Sequence, residues 1–240
     1  MSLSQKLLEK ATQLSDVEFE YKTTSDFNYI DNLHTECNAI VMESTFIYFE
    51  IKNIPLLLKT GKRLAARVYK IYYNTLQEIC KETGGYFNCY SPNSFLLIYP
   101  KEKYTVSYVV DIALRAATLF CTTLREPLEK HGHINFSIGI DHGNVLGTKT
   151  VCNDNFSQMV WFSTDINKAI TIAHECQRPF FVGVSGTVYH HLDQSLLTTT
   201  KKILGFSKEV EIWTRISYQF DNVKKHLYQT NFQKPFEVEE

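Results

Sequence analysis

The feature of this sequence that most constrains its fold is the alternation of short β-branched runs with apolar stripes of helical period. Residues 46–51 are long enough for one buried strand, and residues 64–79 place apolar side chains at helical spacing before Gly84 and Gly85. The alternation continues with strands predicted at 86–89, 95–99, 134–140, 145–151, 180–184 and 210–214, an extended segment at 159–162, and helices at 106–124 and 164–176. The order is roughly βαββαββαβ and predicts an α+β fold, in which a mixed and mostly antiparallel sheet has helices on one face.

The pattern divides the chain into three parts. Residues 1–38 combine a short amphipathic helix with an irregular polar run, which is typical of an appendage or a dimer arm. Residues 39–218 carry the periodic pattern and are predicted to form one domain, which suits a chain of 240 residues with 44% hydrophobic content. Residues 219–240 are polar and are predicted to form a mobile tail.

The composition excludes several classes of partner. Lys and Arg total 25 against 26 Asp and Glu, so no overall field would attract nucleic acid or an anionic membrane. No apolar stretch approaches the ~20 residues of a membrane span, so we expect a cytoplasmic protein. The cysteines show no CxxC spacing and are interpreted as free, mostly buried thiols. They are Cys37, Cys80, Cys89, Cys121, Cys152 and Cys176.

Two features of the first strands bear on chemistry. Glu50 is the one charged residue within the apolar run at 46–51. Gly84 and Gly85 precede a predicted hairpin whose Pro-Asn-Ser turn contains Asn93, and the apolar run after this turn ends at Pro100.

Further motifs follow later in the chain. Residues 138–145 read Ile-Gly-Ile-Asp-His-Gly-Asn-Val, a helix begins with Ile-Asn-Lys-Ala at 166–169, and Phe-Val-Gly-Val-Ser follows at 181–185. In this order and at these separations, the motifs resemble those of the catalytic domains of class III nucleotide cyclases. The resemblance covers about residues 40–215 and implies the ferredoxin-like fold of that family.

The resemblance implies a metal-dependent reaction for which this chain lacks groups. In the family, the ribose 3′-hydroxyl attacks the α-phosphate and pyrophosphate leaves, while two divalent metals held by two carboxylates stabilise the charge. Glu50 and Asn93 stand at the carboxylate positions; Glu50 adds a methylene and Asn93 has no charge. With a single carboxylate, we expect Mg²⁺ or Mn²⁺ as cofactor only if the protein is active, and otherwise none.

The residues implied to contact the nucleotide are also altered. The resemblance places Cys89 at the position of a purine-reading lysine, Val160 at the second base reader, and Thr171 at the transition-state arginine. Asn167, which orients the ribose in the family, is retained. Lys168 lies nearly one helical turn before Thr171 and is a candidate to contact a phosphate in the arginine's place, although a point charge lacks bidentate geometry.

These observations lead to hypotheses of different classes. The first is a pseudo-cyclase, a head-to-tail homodimer whose clefts bind a nucleoside triphosphate or a protein partner. The second is an active, divergent cyclase that uses Glu50 with Asp141 or Asp165. The short length and the Met-Val-Trp run at 159–161 resemble the pyrimidine cyclases of bacterial anti-phage defence, so this enzyme would be pyrimidine-specific. The third is a structural dimer that binds no nucleotide.

Each candidate residue also has a purely structural interpretation. Glu50 is either a buried carboxylate or a strand-end glutamate turned to solvent. Asn93 is a favoured turn residue, Asn167 suits a helix cap or local packing, and Lys168 suits a solvated helix surface. Ser185 lacks the GxSxG spacing of hydrolases.

A zinc site is the remaining enzyme hypothesis, and it is disfavoured. His131, His133 and His142 flank one predicted strand, and His190 and His191 are adjacent. No HxH or HxxxH motif lies on a predicted helix, and the Asp-His-Gly run at 141–143 is interpreted as a turn.

Overall fold

A computed structural model describes residues 2–18, 20–31, 33, 38–131, 135–153, 156–176, 178–203 and 206–235. Within these residues the helices are α1 Leu3–Asp16, α2 Asn28–Asp31, α3 Ile54–Thr60, α4 Lys62–Glu82, α5 Val106–Cys121, α6 Arg125–Glu129, α7 Thr164–Glu175, α8 Gly186–Tyr189 and α9 Gln194–Leu197. The strands are β1 Glu20–Thr23, β2 Asn38–Ile51, β3 Tyr86–Ser91, β4 Ser94–Pro100, β5 Phe136–Asn153, β6 Phe156–Phe162, β7 Val182–Ser185, β8 Thr198–Ile203, β9 Phe206–Glu211, β10 Thr214–Phe220 and β11 Val223–Thr230.

The main sheet is mixed and mostly antiparallel, as predicted. Its strands lie in the order β10-β11-β7-β5-β2-β4-β3, while β1 pairs with β2, and β6 pairs with β5. Two pairings are parallel, β5 with β7 and β1 with β2. The strands β8 and β9 form a separate hairpin. The structure therefore confirms the α+β class.

Strand β2 separates two hydrophobic cores by its alternation. Ile47 and Phe49 point to one face, where they join a large aromatic and aliphatic cluster beneath α4 and α5. Phe46 and Tyr48 point to the other face and pack with α7. Glu50 follows on this second face, so the register that buries the core also directs the glutamate toward α7.

The position of α7 corrects the expectation that helices lie on one face only. The helices α4 and α5 cover one face, as predicted, but α7 lies against the other. A glycine near the start of β5 permits this, because a Cβ at Gly139 would lie 1.9 Å from the carbonyl oxygen of Ala169 and 2.6 Å from the amide nitrogen of Ala173. The α7 backbone therefore lies directly on β5.

The continuous strand β5 shows that the turn predicted at residues 141–143 is wrong. These residues pair in register with residues 44–46 of β2. The strand β2 is also longer than the predicted run at 46–51 and begins at Asn38. The Asp-His-Gly run favours a turn locally, but cross-strand pairing along two long strands outweighs that preference.

The C-terminal segment also differs from prediction. The sequence predicts a mobile tail over residues 219–240, but β11 at 223–230 is paired on both sides, with β10 and with β7. The turn before it uses Asp221 and Asn222 at φ of 49° and 61°, the left-handed geometry of a tight hairpin. Leu227 is fully buried against Ile172. Residues 236–240 lie outside the described residues.

The N-terminal segment consists of two different parts. Helix α1 buries none of its residues, and its leucines are exposed. In contrast, β1 extends the main sheet, and Ile30 and Leu33 are buried in the core beneath α7. Within the described residues, no helix is both long enough and apolar enough to cross a membrane.

Candidate functional site

Glu50 lies at the end of β2 with a lysine and a histidine beside its carboxylate. Its Oε2 is 2.5 Å from the Nζ of Lys52 and 3.2 Å from the Nε2 of His174. The side chain of Glu50 is only 13% exposed, so the carboxylate is largely buried and paired rather than turned to solvent. Lys52 and His174 did not stand out in the sequence as site residues.

Asn93 meets Glu50, as the family positions require. The backbone N–H of Ile51 donates to the carbonyl oxygen of Asn93 at 2.8 Å, which fixes the β3–β4 turn against the end of β2. The side-chain amide of Asn93 donates to the Oε1 of Glu50 at 3.4 Å and to the carbonyl of Ile51 at 3.4 Å. Asn93 therefore serves as a turn residue and as a donor to Glu50.

This set of groups does not fit a pair of divalent metals. Such a site needs facing carboxylates, but here the facing residue is a neutral amide whose N–H group points at the glutamate. The ammonium of Lys52 already pairs with that glutamate, and it would repel a cation 4 Å away by about 4 kcal/mol per unit of charge at an effective dielectric of 20. The described residues contain no group of three or more His, Cys, Asp or Glu suited to a metal ion.

Neither alternative acid lies near Glu50. Ser137 of β5 is the residue paired with Glu50, and Asp141 follows four positions later on the same strand, roughly 13 Å away. Asp165 lies in the first turn of α7, where its carboxylate occupies the space beside Gly143. Within one chain, neither acid can form a metal pair with Glu50, because two-metal sites span about 4 Å.

An open cavity of about 550 Å³ lies between β3, β6 and the beginning of α7. Three of the residues predicted to contact nucleotide, Cys89, Val160 and Asn167, line it together. The other lining residues include aromatic and amide side chains suited to stacking and hydrogen bonding with a base. They are Asn88, Tyr90, Gln158, Met159, Trp161, Phe162, Ser163, Thr164 and Ile166.

Strand alternation modifies the role of Cys89. Its sulfur lies 3.0 Å from the hydroxyl of Tyr69, which belongs to α4 on the opposite face of the sheet. The neighbouring Tyr90 lies on the cavity side, with its ring centroid 5.8 Å from that of Tyr48. Asn88 and Tyr90 are therefore the better candidates on β3 to contact a base. The sequence contains a signal for this, because Cys89 pairs with the buried Phe95 and its two neighbours on β3 must point to the opposite face.

Asn167 is exposed in the second turn of α7 and does not cap the helix. Ser163 is the N-cap, with its hydroxyl accepting from the amide of Asp165. Thr171, at the family's arginine position, donates its hydroxyl to the carbonyl of Asn167 and does not line the cavity. No arginine therefore reaches the cavity from this helix face.

Lys168 is directed away from the cavity that Asn167 lines. Its ammonium lies 2.5 Å from Asp165 Oδ1 and 3.8 Å from Asp141 Oδ2. It lines a separate cavity of about 340 Å³ beside β10 and β11. The predicted replacement of the arginine by Lys168 thus has no support from the geometry of this chain.

Asp141 is a buried carboxylate whose ionisation opposes folding. It accepts a hydrogen bond from Ser185 Oγ at 2.5 Å, and its side chain is 2% exposed. Burial raises the pKa of Asp141 above its ordinary 3.8, an effect that the Ser185 hydrogen bond, the His142 amide and Lys168 reduce. Ser185 also accepts from the amide of Val188, so it caps α8 and is not a nucleophile.

Asp141→Asn should therefore change how stability depends on pH. Because folding raises this pKa, the contribution of Asp141 to stability is fully present below about pH 4 and is lost as pH rises through the folded pKa. Relative to wild type, Asp141→Asn should gain unfolding free energy from pH 4 to pH 7, measured by urea titration. Asp193→Asn, at an exposed position, should show no such trend. If the unfolding free energy of Asp141→Asn instead fell further below that of wild type as pH rises, the raised pKa of Asp141 would be contradicted.

The remaining histidines and cysteines show no metal or disulfide chemistry among the described residues. His142 contacts Thr45 and Glu43, and His133 lies outside the described residues. The cysteines Cys80, Cys89, Cys121 and Cys176 are free, as predicted. Burial raises the pKa of both Cys80 and Cys176 to about 12, so these two thiols are unreactive. Cys37 and the side chain of Cys152 lie outside the described part.

Solved structures of class III cyclases share this fold. A class III adenylyl cyclase-like ATP-binding protein from Pseudomonas aeruginosa has a TM-score of 0.65 at 14% identity, over 80% of this chain and 43% of that chain. The adenylyl cyclase CyaB from P. aeruginosa has a TM-score of 0.62 at 11% identity, over 82% and 97%. A non-canonical dimeric guanylyl cyclase domain from the fungus Blastocladiella emersonii has a TM-score of 0.57 at 15% identity, over 81% and 99%.

These similarities define the fold of the chain. It has the architecture of class III adenylyl and guanylyl cyclase catalytic domains, as the resemblance of its motifs predicted. No protein-family model matches the sequence, and no curated protein matches it. At such low identity the similarity does not extend to activity, which must be argued from the residues of the site.

Proposed function

We propose that this chain is a cyclase-like protein that binds a nucleoside triphosphate without cyclising it, and acts as a regulatory or scaffold homodimer. The observation that carries the proposal is that Glu50 faces the amide of Asn93 and is paired with Lys52, in a chain that also has an open cavity lined by Asn167. The cavity can accept a base and ribose. The other end of the site lacks the paired carboxylates that cyclisation requires.

Two of the similar structures support parts of this proposal. The P. aeruginosa protein is described as cyclase-like and ATP-binding, which is a precedent for nucleotide binding on this fold. The B. emersonii domain is described as dimeric. Along α7, Asn167 and His174 are roughly 10 Å apart, so the cavity and the Glu50 cluster lie toward opposite ends of the helix. In a head-to-tail dimer, each cavity would face the Glu50 cluster of the second copy.

Product analysis and binding test the proposal together. Purified protein incubated with ATP, GTP, CTP or UTP and Mg²⁺ or Mn²⁺ should yield no cyclic nucleotide by mass spectrometry. The same nucleotides should change the fluorescence of Trp161, which lines the cavity. Trp213→Phe should keep this signal, because Trp213 does not line the cavity and its indole N–H donates to the Leu196 carbonyl. Trp161→Phe should lose it.

The outcomes separate the hypotheses. A cyclic nucleotide formed at an appreciable rate would overturn the proposal, whereas binding without product would support it. If calorimetry and fluorescence both show no binding of any nucleotide, the chain is a structural dimer only. The free thiols of the described cysteines suit the reducing cytoplasm, where we place the protein.

An active pyrimidine cyclase is the second candidate, because Glu50 and Asn93 still lie together at the end of β2. The side chains of Asn93 and Glu50, which the resemblance assigns to the two carboxylate positions, lie 3.4 Å apart. Under this alternative, CTP or UTP would be cyclised in anti-phage signalling, and Glu50→Ala would abolish the product. Activity that survives Glu50→Ala would eliminate this candidate.

A further inference from the structure

The ammonium of Lys52 lies beside the Glu50 carboxylate, where a divalent metal would bind. Lys52 Nζ lies 2.5 Å from Glu50 Oε2, and His174 Nε2 approaches the same oxygen at 3.2 Å. The other carboxylate oxygen receives the amide of Asn93. Both oxygens of Glu50 are therefore used by protein donors, and a divalent cation would have to displace Lys52 to reach them.

Lys52 is held in place both by its backbone and by its side chain. Its backbone N–H donates to the carbonyl of Asn135 at 2.8 Å, which extends the pairing of β2 with β5 by one residue. Its side chain is 24% exposed and reaches the carboxylate of Glu50. Such fixing reduces the entropy that a flexible lysine would otherwise lose on binding a ligand.

Lys52 also has unused capacity to bind an anion. An ammonium group has three N–H donors, and among the described residues that of Lys52 donates to Glu50 alone. His174 lies beside it in the last turn of α7 and is 53% exposed. The ammonium of Lys52 and the imidazole of His174 are thus both accessible to solvent beside a single carboxylate, and both can donate hydrogen bonds to the oxygens of a phosphate chain.

We propose that Lys52, positioned by Glu50, contacts the triphosphate directly and replaces the divalent cations, so that this site binds metal-free nucleoside triphosphate. This inference rests on the proposed function, since it concerns the same nucleotide. It assigns to Glu50 a positioning role for Lys52 in place of metal ligation. It also explains why the loss of the second carboxylate at Asn93 is compatible with nucleotide binding.

Calorimetric titration of ATP, GTP, CTP and UTP, in EDTA and in Mg²⁺, tests the inference. For the nucleotide that binds best, the wild-type Kd in EDTA should equal or be lower than that in Mg²⁺. Lys52→Met should weaken binding in EDTA by about 10- to 100-fold, the loss expected for a hydrogen bond from a charged group. Lys52→Arg should retain most of the affinity. Lys70→Met, an exposed lysine on α4, is the matched control and should bind as wild type does.

Mn²⁺ alone provides an independent measurement. Wild type should bind no Mn²⁺ at this site by electron paramagnetic resonance, whereas Lys52→Met, which frees Glu50, should gain a weak site. The double variant K52M/E50Q should lose it again. Wild-type binding that requires Mg²⁺, or unchanged EDTA binding in a folded Lys52→Met, would overturn the inference while the proposed function stands. The absence of nucleotide binding in both EDTA and Mg²⁺ would instead overturn the proposed function.

Discussion

Gly139→Ala is expected to destabilise this protein by about 3 kcal/mol or more, the upper end for overpacking a core. The added methyl would lie 1.9 Å from the carbonyl oxygen of Ala169 and 2.6 Å from the amide nitrogen of Ala173. Both atoms belong to the α7 backbone, which cannot move aside as a flexible side chain can. The helix must therefore leave β5, and the buried contacts of Ile166 and Ala169 with the second core would be lost.

The same displacement should impair the candidate site, because α7 carries Asn167 at one end and His174 at the other. For a chain of this size, 3 kcal/mol corresponds to a fall in Tm of roughly 6–12 °C. Calorimetry would measure it, and a loss of nucleotide binding should accompany it.

Gly186→Ala is the matched control for this prediction. A Cβ there would meet only the carbonyl oxygen of His226, at 3.8 Å, an ordinary contact. Its effect on stability should stay within about 0.5 kcal/mol. If Gly139→Ala had the Tm of wild type, α7 would not lie against β5. The positions of Asn167 and His174, at the two ends of the site, would then be wrong as well.

Local periodicity predicted the parts of the fold that depend on neighbouring residues. The strand containing Glu50, the hairpin containing Asn93 and the helix containing Asn167 are all present, because each combines a buried face with turn or cap residues that act locally. Of these three elements, the hairpin and the strand bring Asn93 and Glu50 into contact, whereas Asn167 lies toward the other end of α7.

The parts that could not be predicted depend on distant partners. Residues 141–143 have the composition of a turn, and only their pairing with the long strand β2 makes them part of a strand. The side chains of β11 are largely polar, and its partner strand β7 is distant in the sequence. The only local signal for β11 was the Asp-Asn turn at 221–222. The pairing of Lys168 does have a local signal, because Asp165 three residues earlier is at a favourable helical ion-pair position.

The surroundings of Glu50 also depend on a residue that is distant in the sequence. Lys52 shares a face with Glu50 by strand alternation, which the sequence revealed, but His174 reaches the carboxylate only because α7 packs across β2 and β5. A single sequence indicates that a carboxylate is present, but it does not indicate which cation neutralises it. The identity of that cation decides whether the carboxylate is a metal ligand or a residue that positions a lysine.

Asn167→Trp should abolish nucleotide binding, with an affinity loss of at least about 100-fold, or ~2.8 kcal/mol. Asn167 lines the cavity of about 550 Å³, and a tryptophan side chain there would occupy the space proposed for the ribose and base. Because Asn167 is exposed, its replacement requires no repacking of the core, so Tm should remain close to that of wild type.

Asn74→Trp, an equally exposed asparagine on α4, makes the same substitution on the opposite face of the sheet and should leave affinity unchanged. Calorimetric titration with the best-binding triphosphate measures both variants. A folded Asn167→Trp that binds as wild type does would exclude this cavity as the nucleotide site. A loss confined to Asn167→Trp would place the sugar and base in the cavity at the start of α7.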